Sequence, residues 1–542
     1  MIAVSNLSLI FPDKKIFEDV NLKFVSGNCY GVIGANGAGK STFLKLLSGE
    51  KEQTAGNIII EKDKRLAFLS QNQNAFDAYT ALETVFMGHK KLFDIMQAKE
   101  VIYQKEVITE AEGYALSNLE ADFMELDGWD AEPDAEKLLN GLNVPRSDFN
   151  KKMRDILPKN KVKILLAQAL FGNPDILLLD EPTNNLDFEA IAWLENFLIN
   201  YDHTVITVSH DRHFLNNVCT HMVDIDYHQA KLYAGNYDFW MESSQLIQKL
   251  MADKNKKKEE RMQELKTFIA RFSANLSKSA QATSRKKSLE KIQLDEIIPS
   301  TRKYPFIGFE IEKQLGKDVL EVKDLSASLD GIKLFENVSF TMNRGDKVAL
   351  LGHNDLAKTA LLKILEGELK PDTGTIKWGQ TVSKSYFPSD NDAYFVGKDQ
   401  NLIDWLRQYS KEPAESYIRG FLGRMLFSGD QPLKEVKYLS GGEKMRCMYS
   451  KLMLSHANTL LIDSPTIHLD LEAIQSVNKG LIDYKGAIIV ASHDHHLLDS
   501  VCNKIVEVGD LGAYSYEGTF EHYIKDIEIK NKRNQLYKPS IG

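Results

Sequence analysis

Short apolar runs followed by polar turns recur along the chain, and each run predicts a buried strand. Residues 29–33 form one such run, and residues 41–47 after it have the spacing of an amphipathic helix. A second apolar run, residues 176–179, ends in Asp180 and Glu181. Strands that alternate with helices in this way are typical of an α/β fold.

The same pattern occurs in both halves of the chain. Three blocks of the first half have counterparts in the second half, namely residues 16–20 and 334–338, 176–183 and 459–466, and 208–211 and 491–494. Because the blocks keep the same order, chance is excluded. We therefore predict two tandem domains that arose by internal duplication.

A candidate phosphate-binding loop stands between the predicted strand at 29–33 and the helix at 41–47. Residues 34–41 match the pattern GxxxxGK[ST], in which backbone N–H groups converge on phosphate oxygens. Lys40 is expected to contact the β- and γ-phosphates, and the Ser41 hydroxyl to help hold Mg²⁺. The candidate nucleotide contacts here are Gly34, Asn36, Gly37, Ala38, Gly39, Lys40, Ser41 and Thr42. An altered copy occurs at 352–359.

Composition predicts a cytoplasmic chain with no metal-ligand spacing among its cysteines. No apolar run reaches the roughly 18 residues that span a bilayer, and the first residues lack a signal-peptide pattern. The four cysteines, Cys29, Cys219, Cys447 and Cys502, are far apart in sequence and are expected to be reduced core thiols. The net charge of −9 argues against a nucleic-acid partner only as an average, because charge is unevenly distributed.

The segment 241–305 concentrates positive charge and lacks strand-like alternation. Its helical spacing predicts two antiparallel helices, one from about residue 246 to 277 and one through Leu289 and Ile292. Residues 252–303 contain fourteen basic and seven acidic side chains, which favours contact with a phosphate backbone. A solvated linker of ordinary lysine-rich helices remains the alternative.

The first half carries an insertion. Lys40 and Asp180 are 140 positions apart, whereas Lys358 and Asp463 are 105 positions apart. The excess maps near residues 89–130, where helical spacing leads into an acidic stretch. We interpret it as a helical arm, with a solvated acidic hairpin as the alternative.

Together with the sequence Leu-Ser-Gly-Gly-Glu at 439–443, these blocks resemble the ATP-binding cassette (ABC) family over nearly the whole chain. The resemblance implies that Asp180 orients Mg²⁺ and that Glu181 is the general base for the attacking water. It also implies that His210 contacts the γ-phosphate. The fold expected from it is α/β, with two tandem cassettes joined by a long helical linker.

Two further roles come from the same resemblance. Gln71 would sense the metal and the attacking water, and Phe11 would lie against adenine. A serine hydrolase based on residues 209–211 is excluded, because adjacent residues at one strand end cannot all converge on one another.

Cassettes of this family pair head to tail, so each ATP site is a composite of both halves. The first composite site joins the first phosphate loop to the signature at 439–443, and it has every expected part. Its contacts from the second half would be Ser440, Gly441, Gly442 and Glu443. We predict that this site binds and hydrolyses MgATP.

The second composite site departs from the family pattern. Asp355 and Ala357 replace loop glycines, and Asp355 is expected to need an awkward backbone. Residues 157–160 replace the signature and run one residue short. The other substitutions are Leu329 for the adenine-stacking aromatic residue, Ser389 for the loop glutamine and Ser464 for the catalytic glutamate. We predict a catalytically inactive site. Static nucleotide binding stays open, because Lys358, Thr359, Asp463 and His493 remain.

The arm, the basic linker and the two cassettes resemble the ABC-F translation factors, specifically their YbiT-like branch. That resemblance implies a monomer with paired cassettes that binds the tRNA exit site of the ribosome. Its linker would touch 23S rRNA and peptidyl-site tRNA, and its arm would approach the large subunit near the L1 stalk. The candidate RNA contacts are Arg271, Lys278, Arg285, Lys286 and Lys287. The expected domains are 1–240, 241–305 and 306–528, followed by a short tail at 529–542.

The sequence leaves several functions open. The chain is expected to use ATP hydrolysis to modulate translation or rescue stalled ribosomes. It could instead protect ribosomes from an antibiotic, or act as a largely inactive regulatory paralogue. A role in energising a membrane transporter is disfavoured, because the linker is far longer than a cassette fusion requires.

Overall fold

The computed structural model of the protein describes residues 1–12, 14–69, 72–105, 107–184, 186–272, 284, 286–287, 289, 302–329, 331–397 and 399–537. Within the first half of the chain the strands are β1 Ile2–Phe11, β2 Lys14–Phe24, β3 Cys29–Gly34, β4 Ala55–Ile60, β5 Leu66–Phe68, β6 Ile176–Asp180, β7 Thr204–Val208, β8 His221–Asp226 and β9 Gln229–Ala234. The helices of this half are α1 Lys40–Leu47, α2 Ala81–Phe86, α3 Lys90–Tyr103, α4 Glu110–Glu125, α5 Ala131–Gly141, α6 Pro158–Leu170, α7 Phe188–Ile199 and α8 Arg212–Val218.

The main sheet of the first half has the strand order β5-β6-β7-β3-β8-β9, and a smaller antiparallel sheet has the order β2-β1-β4. Strands β5, β6, β7, β3 and β8 run parallel, and β9 is antiparallel to β8. Every residue of β3, β6 and β7 is buried, as expected for parallel strands covered on both faces. The carboxyl ends of β3 and β6 therefore bring the phosphate loop and Asp180 to one edge of the sheet.

The insertion of the first half forms a hairpin of α3 and α4. Thr109 caps α4 by accepting from the Glu112 N–H, and the Glu112 carboxylate accepts from the Thr109 N–H over 2.9 Å. At the base of the hairpin Lys99 Nζ lies 2.9 Å from Glu120 Oε2 and 3.7 Å from the centre of the Phe123 ring. These contacts hold the two helices of the arm against each other.

The second half repeats the arrangement. Its strands are β10 Asp318–Leu329, β11 Ile332–Asn343, β12 Lys347–Leu351, β13 Thr373–Trp378, β14 Lys384–Phe387, β15 Thr459–Asp463, β16 Ala487–Ala491, β17 Lys504–Gly509 and β18 Gly512–Glu517. The main sheet has the order β14-β15-β16-β12-β17-β18, and the smaller sheet has the order β11-β10-β13. The predicted α/β class with two tandem cassettes is confirmed.

A 36-residue helix, α9 Tyr237–Phe272, leaves the first half. The sequence predicted this helix only from about residue 246, so it begins earlier, inside the segment assigned to the first domain. At 1.5 Å per residue it is about 54 Å long. Residues 284, 286, 287 and 289 are also helical, whereas most of the predicted second helix lies outside the described residues.

The remaining helices follow in the second half. They are α10 Asp355–Glu366, α11 Leu402–Arg407, α12 Glu415–Arg424, α13 Gly441–Leu454, α14 Leu471–Asp483, α15 His495–Val501, α16 Phe520–Lys525 and α17 Ile527–Asn534. The tail is packed as far as it is described: Tyr537 Oη donates to Glu507 Oε1 over 2.6 Å, and the Tyr537 ring stacks on His353 with 4.0 Å between ring centres. The four cysteines are free and buried, as predicted.

Candidate functional site

The loop after β3 has the backbone of an anion-binding turn. Gly37 and Gly39 adopt φ values of 79° and 103°, which favour glycine, and a Cβ on Gly39 would stand 2.6 Å from Ile16 Cγ2. No side chain caps α1, whose first residue is Lys40. Lys40 Nζ donates to the Gly34 carbonyl over 2.8 Å. The first amides of α1 are therefore available for phosphate oxygens.

Two acidic residues stand at the carboxyl end of β6. Glu181 has a left-handed backbone with φ of 53°, and its N–H donates to the Val208 carbonyl over 2.9 Å. This turn directs its side chain toward His210, whose backbone N–H donates to Glu181 Oε2 over 3.2 Å. The ring atom His210 Nε2 lies 3.3 Å from Glu181 Oε1. Glu181, the predicted general base, and His210, the predicted contact of the γ-phosphate, thus touch each other directly.

Burial dominates the electrostatics of this pair. It raises the pKa of Glu181 to about 8, with the charge of Lys40 lowering it in part and that of Asp180 adding to the increase. Burial, and then the charge of Lys40, lower the pKa of His210 to about 3. Burial also raises the pKa of Asp180, against a hydrogen bond from Ser41. Around neutral pH the Glu181–His210 pair is therefore mostly uncharged.

One cavity is lined by residues of both halves, and the second half contributes a capped helix terminus to it. Ser440 caps α13, accepting from the Glu443 N–H over 3.4 Å, while Glu443 Oε2 accepts from the Ser440 N–H over 2.7 Å. A Cβ on Gly441 or Gly442 would approach His468 to 3.3 Å or 3.1 Å, so a side chain at either position would have to displace His468 by a few tenths of an ångström. The cavity extends over both composite sites, and in the first half it is lined by predicted loop residues, the general base and the histidine, namely Asn36, Gly37, Gly39, Lys40, Ser41, Thr42, Glu181 and His210.

The predicted glutamine and adenine-stacking contacts of this site are not among the described residues that line the cavity. Gln71 lies outside the described residues, and Phe11 is 40% exposed at the end of β1, with Lys51 Nζ 4.5 Å from its ring centre. Gln73, which the sequence analysis did not single out, lines the cavity. The sequence feature that could have pointed to Gln73 is its position two residues after Gln71, in the run Gln-Asn-Gln.

The altered loop of the second half has become part of a helix. Helix α10 begins at Asp355, three positions before Lys358, whereas α1 begins at Lys40 itself. Neither Asp355 nor Ala357 takes the positive φ of its glycine counterpart. The awkward backbone expected at Asp355 is therefore wrong: without glycines the segment relaxes into a helical turn.

The N–H groups of this turn already have acceptors within the chain. Asn354 Oδ1 caps α10, accepting from the N–H groups of Leu356 and Ala357 over 3.0 and 3.4 Å. Thr359 Oγ1 donates to Asp463 Oδ2 over 2.6 Å, and Ser464 Oγ donates to Asp463 Oδ1 over 3.1 Å. The second loop thus offers fewer free donors to an anion than the first.

Three cationic or imidazole groups contact the Asp355 carboxylate. Lys358 Nζ lies 2.8 Å and His493 Nε2 3.0 Å from Asp355 Oδ1, and Lys159 Nζ of the first half lies 2.6 Å from Oδ2. Burial acts to raise the pKa of Asp355, but the hydrogen bond from His493 and the charge of Lys358 outweigh it and leave the pKa well below its usual value. Asp355 is therefore ionised and bound on two sides.

The segment opposite Asp355 is not shortened, contrary to the expectation from sequence. A single turn of 3-10 helix, Met153–Asp155 in the first half and Val436–Tyr438 in the second, precedes the helix in each case. Ile156 then matches Leu439 and the cap Leu157 matches the cap Ser440. Leu157 provides no capping side chain, and Lys159 stands in the place of Gly442.

The other residues assigned to the second site lie in different places. Ser389, Asp463 and Ser464 line the cavity, whereas Leu329 is 40% exposed at the end of β10.

Of the candidate RNA contacts, Lys286 and Lys287 are exposed and Arg271 lies in α9. Lys278 and Arg285 lie outside the described residues.

Comparison with known families identifies both halves and the linker. A family profile described as ABC transporter matches residues 17–184 and 335–467, and an extension profile with the same description matches residues 223–309. The extension profile covers α9 and the described residues 302–309. Among helices of the described residues, none is both long and apolar enough for a bilayer.

Curated relatives match over nearly the full chain. The "Uncharacterized ABC transporter ATP-binding protein YkpA" of Bacillus subtilis is 55% identical, with 99% of this chain and 100% of the relative covered. The "Probable ATP-binding protein YbiT" of Escherichia coli O157:H7 is 44% identical over 98% and 100%. The "ABC transporter F family member 2" of Arabidopsis thaliana is 31% identical over 98% and 80%.

Solved structures share the fold at low identity. The structure titled "RNase-L Inhibitor" superposes with a TM-score of 0.60 at 15% identity and covers 99% of both chains. The archaeal ribosome recycling factor in complex with a ribosomal stalk protein superposes with a TM-score of 0.59 at 14% identity, over 98% of this chain and 99% of that one. Both likenesses concern the arrangement of two cassettes in one chain.

Proposed function

Because this chain belongs to the ABC-F type of ATP-binding cassette proteins, we propose that it hydrolyses MgATP at the first composite site and not at the second. One contrast carries the proposal. The first site pairs an open glycine loop with Glu181 against His210, whereas the second pairs a helical turn with Ser464. Because the second half has replaced both the general base and the glycine loop, only the first site keeps the residues needed for hydrolysis.

In the first site each residue has a defined part. Lys40 would exchange the Gly34 carbonyl for phosphate oxygens, and the first amides of α1 would donate to the same phosphates. Glu181 would accept a proton from the attacking water, and His210 would orient the terminal phosphate. The Asp180 carboxylate and Ser41 hydroxyl are the oxygen donors that Mg²⁺ prefers. Bound Mg²⁺ would supply positive charge that favours the ionised form of Glu181.

Opposite these residues, the terminus of α13 would close the site. Its capping box fixes Ser440, and the lack of side chains at Gly441 and Gly442 lets the backbone approach a phosphate. Hydrolysis would therefore require the two halves to come together around one nucleotide.

We further propose that the chain is a cytoplasmic, monomeric factor that binds the tRNA exit site of the ribosome and modulates translation or rescues stalled ribosomes. The linker supports this, since α9 is long enough to reach about 54 Å and the segment 252–303 is rich in lysine and arginine. Its targets would be 23S rRNA and peptidyl-site tRNA, with the α3–α4 arm near the L1 stalk.

Ribosome pelleting tests the proposal. The Glu181→Gln variant should bind ATP without hydrolysing it and co-sediment with ribosomes in ATP, while ADP should release it. The matched control Ser464→Ala should behave like the unmodified chain. Binding should weaken steeply with salt if several phosphates are contacted. Absence of ATP-dependent co-sedimentation at low salt would remove the ribosome from the proposal, and lack of ribosome-stimulated turnover would favour a regulatory module.

A further inference from the structure

The second composite site contains an anion of its own. Three groups converge on the Asp355 carboxylate: Lys358 of α10 at 2.8 Å, His493 after β16 at 3.0 Å and Lys159 of α6 at 2.6 Å. When the elements of the two halves are matched, their counterparts in the first site are Lys40, His210 and Gly442, the set assigned there to the phosphates. A carboxylate and a terminal phosphate are both oxyanions that accept from such donors.

The contact crosses from one half of the chain to the other. Lys159 lies in the first turn of α6, and Asp355 is the first residue of α10, 196 positions later. Both side chains are partly exposed, whereas Lys358 is only 5% exposed. The inner part of the cluster is therefore shielded, which limits screening of the Asp355–Lys358 pair.

Aromatic packing supports the same arrangement. Phe188 at the start of α7 in the first half lies 5.6 Å from the His493 ring and 5.2 Å from the Phe520 ring. His213 of α8 stacks on His495 of α15, with 4.1 Å between ring centres. His493 is thus held on one side by Asp355 and on another by a ring from the opposite half.

We infer that the Asp355 carboxylate takes the place of a nucleotide phosphate and joins the two halves at the second site without ATP. That contact forms an interaction surface between Lys159 on the first half and the Asp355 cluster on the second. Opening and closing would then be confined to the first site, with the second acting as a closed hinge. This inference goes beyond the proposed function, because it requires neither ribosome binding nor hydrolysis.

Distance measurements across the two sites test the inference. Paired spin labels on cysteines at Lys14→Cys and Tyr438→Cys report on the first site, and labels at the structurally matching positions Asp155→Cys and Ile332→Cys report on the second. The native cysteines are buried and should not be labelled. In nucleotide-free protein we expect a narrow distribution across the second site that ATP does not change. Across the first site the distance should shorten on ATP addition in the Glu181→Gln background.

Two further variants decide whether Asp355 is responsible. Asp355→Asn and Lys159→Met should each raise the open population at the second site by roughly fivefold, as for loss of a modest ion pair, whereas Asp355→Glu should keep it closed. Unchanged thermal melting would show that the variants fold. A broad distribution in the unmodified protein, or no effect of either variant, would overturn the inference. Neither result would alter the turnover predicted for the first site, so the two proposals fail separately.

Discussion

Arg302 Nε lies 2.8 Å from Glu472 Oε1, and this ion pair joins the end of the linker segment to α14 of the second half. The same guanidinium donates from Nη2 to Asp224 Oδ1 of β8 over 2.6 Å. It also lies 4.7 Å from the ring centre of Trp240 in the first turn of α9. One buried side chain thus contacts both cassettes and the beginning of the linker.

Replacing Arg302 should be costly because its partners are buried carboxylates. Arg302→Met would leave Asp224 and Glu472 without their cation, and we expect a loss of about 3 kcal/mol in the free energy of unfolding. Arg302→Lys keeps the charge but not the fork of donors, so it should lose less. Urea unfolding followed by tryptophan fluorescence measures both. Equal stability of the two variants would contradict this account of the contact.

A matched pair of lysine substitutions should separate the two ATP sites. Lys40→Met removes a cation assigned to the phosphates, and we expect the Kd for ATP to rise by about 10- to 100-fold, as for a lost charge-assisted hydrogen bond. Lys358→Met should leave that Kd unchanged, because Lys358 is paired with Asp355. Equilibrium titration with a fluorescent ATP analogue should give one tight site per chain. Two tight sites, or sensitivity only to Lys358→Met, would reverse the assignment.

Much of the first site could be predicted from the sequence because its chemistry is local. The loop glycines, Lys40 and Glu181 stand in contiguous motifs, and strands β3 and β6 bring them to one edge of the sheet. The contact between Glu181 and His210 follows from the pairing of β6 with its neighbour β7. The raised pKa of Glu181 arises mainly from burial, which the motif does not specify.

The second site was harder to predict because its new contacts are distant in sequence. The substitution at Asp355 was visible, but the contact with Lys159 depends on how the two halves pack. The helical turn at Asp355 follows from the loss of two glycines. A comparison of the two motifs alone predicts instead that the second segment keeps the loop geometry of the first. The length of the altered signature could be judged only from the matching caps Leu157 and Ser440.

Restoring the missing glutamate should not restore hydrolysis at the second site. Ser464→Glu would return a carboxylate to the end of β15, but the turn at Asp355 would still leave the phosphate groups without a loop. In a Glu181→Gln background we therefore expect turnover to stay at the background level, at least about 100-fold below the unmodified chain. Phosphate release measures this. Substantial turnover in the double variant would mean that the second site can still bind and close on ATP.

The stability of the folded chain should depend on pH through Asp211, which caps α8. Burial, and then the charge of Asp494 from the opposite half, raise the pKa of Asp211 to about 7; Glu195 raises it further and His213 lowers it. Asp211 thus binds more protons in the folded than in the unfolded chain between about pH 4 and pH 7, so the stability contributed by this group should fall as pH rises through that window.

Thermal melting of the unmodified chain and of Asp211→Asn between pH 5 and pH 8 checks this dependence. The unmodified chain should lose stability relative to the variant as pH rises, and the difference should level off toward pH 8, where Asp211 is mostly ionised in the folded state as well. Asp494→Asn should move the dependence to lower pH, since it removes the second cause of the raised pKa. Parallel curves for all three proteins across the whole range would show that Asp211 titrates as an ordinary exposed carboxyl group.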